Sequence, residues 1–173
     1  GYWRTRMWSA EFGGTSNDVG ANDYRQADTR TRLYYTAKIN DNLKLVNKFE
    51  MDAVWGGDKA GYGDFGADGK QFEIKNSYAQ FNMGALTAKV GAQGAVISRG
   101  FIMDNDFSGV VASVAGDAMT NTFVYAKKTE GGSDSDTDAT AWAYLPSFAM
   151  GAATVNPVLA YGDLEGDDSL FWI

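Results

Sequence analysis

Histidine and cysteine are both missing from the 173 residues, and proline occurs only twice. Within these residues there is no Ser-His-Asp or Cys-His nucleophile, no disulfide and no thioether-linked haem, and a zinc ion would have only carboxylates to hold it. The lack of cysteine leaves the redox compartment open. Positive charge is also scarce: 15 Lys and Arg against 22 Asp and Glu give a net charge of −7. That balance argues against a nucleic-acid partner, which needs a basic surface to displace counterions. The glycine-rich stretches GAQGAVIS and GDFGADGK lack the Lys-Ser/Thr ending of a phosphate loop at a helix start. Two acidic residues converging as in a glycosidase are the one catalytic arrangement left open, and the chain is read as not being an enzyme.

A long apolar helix is lacking too. The stretch ATAWAYLPSFAMGAATVNPVLAYG, residues 139–162, carries no charge and is long enough to span a bilayer. It fails as a helix, because Pro146 and Pro157 would each remove a hydrogen bond, Gly151 sits mid-run, and Trp142, Tyr144 and Phe148 keep to a period of two. Two strands turning near Met150 and Gly151 fit better, with Val155, Leu159 and Tyr161 on one face and Thr154 and Asn156 on the other. Proline within a strand is a cost that sheet rims and bulges accommodate. The opening GYWRTRMW shows no signal peptide, so the chain reads as mature, trimmed or cytoplasmic.

What the chain does have is alternation. In RTRLYYTAKINDNLKLVNKFEMDAVW, residues 30–55, Leu33, Tyr35, Ala37 and Ile39 share one strand face, and Arg30, Arg32, Tyr34, Thr36 and Lys38 share the other. After a reversal at 40–42, Leu43, Leu45, Phe49, Met51, Ala53 and Trp55 face one way, and Lys44, Val46, Lys48, Glu50 and Asp52 the other. Two geometries give this pattern. A soluble sandwich turns its charges to bulk water and its apolar face to a core, whereas a transmembrane barrel turns its apolar face to lipid and its charges to a watery lumen. Aromatics at 14% and 21 Gly, in a chain of mean hydropathy −0.30, suit strands that end in aromatic girdles and are joined by Gly-rich loops.

The order of connections separates the two geometries. Strands are expected at 2–12, 29–39, 43–55, 71–83, 86–93, 108–115, 121–128, 141–149 and 152–161, with another starting at 169. Between them long GGTSNDVGANDYRQAD, GGDKAGYGDFGADGK, GAVISRGFIMDNDF, TEGGSDSDTDAT and GDLEGDD alternate with short NDN, GAL, GDAMT and MGA. Soluble sandwiches mix connection lengths, while an up-and-down barrel puts short turns at one rim and long loops at the other. The expectation is therefore an all-β, up-and-down antiparallel transmembrane barrel, a single domain over 1–173, with its charges along a water-filled passage.

The segments YWRTRMW, TRTRLYYTAKINDNLKLVNKFE, FEIKNSYAQFNMGALTAKVGAQ and DNDFSGV carry a resemblance over most of the chain. In spacing and residue type it resembles the N-terminal part of a Gram-negative outer-membrane porin, and is similar in particular to the porins of sulfate-reducing bacteria and their relatives. The resemblance implies a barrel of the sixteen-strand class in the outer membrane, a homotrimer, and a third external loop folded into the lumen to narrow it. Ile173 departs from the terminal aromatic residue of that family. At roughly 30 to 40 residues per strand pair, sixteen strands need about 300, so the barrel is expected to be incomplete at its C-terminus.

Carried over from the family, Asp104 and Asp106 in VISRGFIMDND, residues 96–106, with Arg99, would form the constriction loop. They would face a basic wall of Arg4, Arg6, Arg30, Arg32, Lys44, Lys48, Lys75 and Lys89, with acidic Glu50, Asp52 and Glu73 nearby. Opposed charges across a wet pore orient dipolar solutes and set ion preference without strong binding. An ordinary solvated loop with a local ion pair is the alternative for Arg99, Asp104 and Asp106. Trp3, Trp55, Tyr78, Trp142, Tyr144 and Tyr161 are expected at the bilayer interfaces, against the plainer reading of core aromatics.

No cofactor is expected. Asp58, Asp64 and Asp68, like Asp134, Asp136 and Asp138, have oxygen-ligand spacing but lack the bidentate Glu and ligand order of an EF-hand. They read as solvated loops whose carboxylates could at most take divalent ions that also bridge lipopolysaccharide. The partners implied are the bilayer, lipopolysaccharide, further copies of the chain, and small polar solutes or ions diffusing through. A plugged structural or binding barrel, and a soluble β-sandwich binding protein, remain as other readings.

Overall fold

The computed structural model describes residues 1–10, 24–56, 72–129, 139–164 and 168–172. Eleven strands run through them: β1 (Tyr2–Ala10), β2 (Tyr24–Lys38), β3 (Leu43–Val54), β4 (Glu73–Met83), β5 (Leu86–Ile97), β6 (Met103–Ala115), β7 (Met119–Thr129), β8 (Ala139–Met150), β9 (Ala153–Val155), β10 (Leu159–Leu164) and β11 (Asp168–Trp172). The one helical turn described is a 3-10 turn at Ser98–Gly100. The sheet order is β1-β2-β3-β4-β5-β6-β7-β8-β10-β11, with β9 also on β8, so the sheet is antiparallel and up-and-down.

β9 and β10 are one strand with a gap. Val155 lies opposite Phe148 and Leu159 opposite Tyr144, an even step that puts Pro157 on the rung of Pro146. Neither proline has an N–H to give, and the strand lapses over residues 156–158.

Expected boundaries move by four residues or more at two places in the chain. β2 begins at Tyr24 rather than at 29. The third connection, expected to be a long loop, is a β-hairpin: β5 and β6 stay in register from Leu86 opposite Val114 to Ile97 opposite Met103, leaving only residues 98–102 between them. Gly94 and the Asp-Asn-Asp run favour loop by local preference, but each residue of 94–97 has a cross-hairpin partner, and pairing overrides propensity.

The chain groups into two compact units, Gly1–Tyr34 with Lys48–Ile74, and Tyr35–Asn47 with Lys75–Ile173. In the first, register puts Tyr2, Arg4, Arg6 and Trp8 on one face with Arg32, Arg30, Asp28 and Gln26, and puts Trp3, Thr5 and Met7 on the other with Thr31, Thr29 and Ala27. Trp55 joins that second face: its backbone N–H donates to the Ala27 carbonyl, and its indole N–H donates to Thr29 Oγ1 at 2.8 Å.

In the second unit Gln80 pairs with Lys89 and Asn82 with Thr87, which meets Ser113 and then Thr122, all on one face. The opposite face carries Phe81, Val90 and Val110, then two aromatic rungs, Phe123–Tyr144–Leu159 and Tyr125–Trp142–Tyr161. Gly91 and Gly109 face each other across β5 and β6. A Cβ on Gly91 would run into the Ser77 carbonyl and one on Gly109 into the Tyr125 carbonyl, so only glycine permits this close passage, and Gly91 takes φ +129°. Gln93, 3% exposed, donates toward the carbonyls of Lys89, Gly91 and Gly109 at 3.4–3.5 Å, which ties the crossing together.

Neither unit has a conventional core. Among the described residues the buried apolar side chains are Ala53, Ala139 and Pro146, all small, while Met7 is 69%, Leu33 49% and Tyr35 59% exposed.

Candidate functional site: a paired charge ladder and a polar hairpin tip

The first unit's polar face is built by strands that bring like charges together. Arg4 sits directly opposite Arg30, an arrangement that destabilises a sheet unless each cation has an anion beside it. Each does. Arg4 Nη2 donates to Asp28 Oδ1 at 3.0 Å, and Arg6 donates to Asp28 Oδ2 through Nε at 2.9 Å and Nη2 at 2.6 Å. Arg30 turns to β3 and grips Asp52 with both prongs, Nε to Oδ1 at 2.7 Å and Nη2 to Oδ2 at 2.5 Å. Its Nη2 also lies 3.4 Å from Glu50 Oε1, and Arg32 donates through Nε to Glu50 Oε2.

Glu50 is 3% and Asp28 6% exposed, so these carboxylates are buried by the arginines that pair with them. Four guanidiniums meet three carboxylates, leaving one positive charge over. A cavity of about 190 Å³ opens among Arg4, Arg6, Gln26, Asp28, Arg30 and Asp52, and Arg4 Nε is buried without a partner. Aromatic rings border the cations: Arg32 lies 5.7 Å from the Tyr2 ring centroid and Arg6 5.9 Å from that of Trp8.

Of the expected basic wall, Arg4, Arg6, Arg30 and Arg32 are thus brought together with Glu50 and Asp52. Lys48 lies two residues before Glu50 on β3 and forms no ion pair among the described residues; Lys44, in the second unit, forms none either. Asp28 was not anticipated. Its even spacing from Arg30 and Arg32 was the available signal, and starting the strand at residue 29 hid it.

The second unit's polar face is mostly neutral. Gln80 Nε2 and Thr87 Oγ1 both donate to Asn82 Oδ1, at 3.0 and 3.3 Å, and the Ser113 and Thr122 hydroxyls lie 2.9 Å apart. Lys89 Nζ lies 5.6 Å from the Tyr78 ring centroid, so Tyr78 stands on this polar face, apart from the row of Trp142, Tyr144 and Tyr161. Trp3, 68% exposed, and Trp55 stand on the first unit's apolar face.

Asp104 and Asp106 belong to β6, the returning strand of the hairpin. Register aligns Asp106 with Gly94 on the face of Val90 and Val110, and there it meets Lys75 Nζ at 3.0 Å. These two residues, expected on opposite sides of a passage, are therefore partners of each other. Glu73 opens β4 and is exposed. Arg99 sits at the hairpin tip, beside a cavity of about 540 Å³ whose other wall is residues 145–147 and 156–158. Asp58, Asp64, Asp68, Asp134, Asp136 and Asp138 lie outside the described residues. Among those described, no three carboxylates converge as metal ligands would.

No family model matches the chain, and no curated protein matches it.

Proposed function

We propose that this chain forms part of an outer-membrane porin, a water-filled barrel through which small hydrophilic solutes and ions diffuse. The observation that carries the reading is the inversion of burial: apolar side chains such as Met7, Leu33, Tyr35 and Trp142 are exposed, whereas Asp28 and Glu50 are almost fully covered by their arginines. In water an uncovered row of this kind is costly at about 25 cal/mol per Å², and it invites association; against lipid tails it costs nothing. A soluble sandwich would need a second layer over Leu33 and Met7, and their exposure counts against one. The up-and-down strand order supports the same reading, because membrane barrels are wound this way. On it, the arginine ladder lines the passage, the Phe123 and Tyr125 rungs face lipid or a neighbouring copy, and the barrel closes with further strands as a homotrimer among lipopolysaccharide.

The test is current. Native protein purified in detergent and added to planar bilayers is expected to give stepwise, ohmic conductance increments. Protein that inserts as a folded oligomer yet stays closed at every voltage would overturn the porin in favour of a plugged barrel, and protein that stays in the aqueous phase without detergent would overturn the membrane itself.

A further inference from the structure

We propose that the cavity between the β5–β6 hairpin tip and the opposed prolines is a binding site for a small organic anion with an apolar tail, of the medium-chain carboxylate class. The cavity, about 540 Å³, lies wholly within the second unit and has the size of small-molecule sites. Residues 96–99 form one wall and residues 145–147 and 156–158 the other. Thr122 pairs with Leu145 and Thr120 with Ser147, so that wall belongs to the polar face carrying Ser113 and Thr122.

The lining divides by chemistry. Arg99, Ser147 and Asn156 bring hydrogen-bonding groups, and Ile97, Leu145 and Val158 bring hydrocarbon. No carboxylate lines it. Arg99 forms no ion pair among the described residues: Asp104, close to Gly100 in the same turn, does not pair with it, and Asp106 is held by Lys75. A guanidinium with no internal anion beside a cavity is an anion receptor, and its planar fork suits a carboxylate. The tip is also held at a cost, since Ser98 and Arg99 both take left-handed backbone, φ 52° and 58°, which non-glycine residues avoid unless the surroundings impose it. The head group therefore sits at Arg99 and the tail against Leu145 and Val158.

The inference rests on the pore reading only for the route of access. Hexanoate is the probe, in two arms: titration against native protein in detergent by calorimetry, and addition to open channels in potassium chloride. Saturable binding in detergent and a saturable fall in current are expected, with hexylamine and acetate much weaker than hexanoate. Arg99→Gln should weaken hexanoate at least about tenfold, the loss of one charge-assisted bond. Open channels with hexanoate binding absent, or equal in the variant, end this site and leave the porin standing. Closed protein ends the porin, and the detergent arm then decides alone: a tenfold loss in Arg99→Gln upholds the site, and no loss refutes it.

Discussion

The two units solve one problem, a polar sheet face, with different chemistry. The first holds it with charge, four arginines interleaved with Asp28, Glu50 and Asp52, while the second holds it with amides and hydroxyls, Gln80, Asn82, Thr87, Ser113 and Thr122. The difference concerns consequence more than strength. A neutral group that loses its partner turns to water, whereas a covered charge that loses its partner keeps its desolvation cost. The first unit should therefore break at single positions and the second should yield gradually.

The largest effect is expected at Glu50, which is covered by Arg30 and Arg32. Glu50→Ala leaves Arg32 unpaired and Arg30 with Asp52 alone, at a cost of about 3 kcal/mol, toward the lower end for a broken buried pair because both guanidiniums keep some exposure. Denaturant unfolding in detergent should show a fall of that size in unfolding free energy, the midpoint shift multiplied by the slope. A change under about 1 kcal/mol, the range of surface pairs, would mean that water already serves these arginines and that the two units are alike.

Next comes the apolar face. Phe123 is 52% exposed and stacks on Tyr144 with centroids 4.9 Å apart, in the rung that Leu159 completes. On the pore reading, Phe123→Arg costs about 2 to 4 kcal/mol in a bilayer if the rung lies near the midplane, and less toward either rim. Folding titrations into lipid vesicles measure it directly. A variant as stable as the parent would show that this face meets water, and the contrast between outward apolar and inward polar rows would lose its meaning.

Much of this was legible in the sequence because strand parity is a strict code. Once Leu33, Tyr35 and Ile39 alternate with Arg32, Tyr34 and Lys38, the faces are fixed wherever the strand is regular, and the Arg30–Asp52 and Arg32–Glu50 partners follow from the short turn at 40–42. Legibility stops where composition and pairing disagree. Residues 94–97 and 103–107 look like loop, and only the register of β5 on β6 makes them strand. That shift moved Asp104 and Asp106 out of the connection and placed Asp106 beside Lys75, a contact that depends on three adjacent strands rather than on any local pattern. Tyr78 follows the parity code: its even spacing from Gln80 and Asn82 puts it on their polar face, and the alignment of β4 with β5 adds its neighbour Lys89.

The smallest effect is expected at Asn82, whose side-chain oxygen accepts from Gln80 and Thr87. It is the neutral counterpart of Glu50, one acceptor serving two donors from the same sheet face. Asn82→Ala removes both bonds, yet Gln80 and Thr87 are only part-buried and regain water, so the loss should be about 1 kcal/mol, and the backbone bond from Asn82 N–H to the Asn42 carbonyl survives. The same unfolding titration reads it beside Glu50→Ala. A ratio near three between the two losses supports charge as what separates the units. Equal losses would instead assign the sensitivity to acceptor geometry, since both residues serve two donors and differ chiefly in carrying a charge.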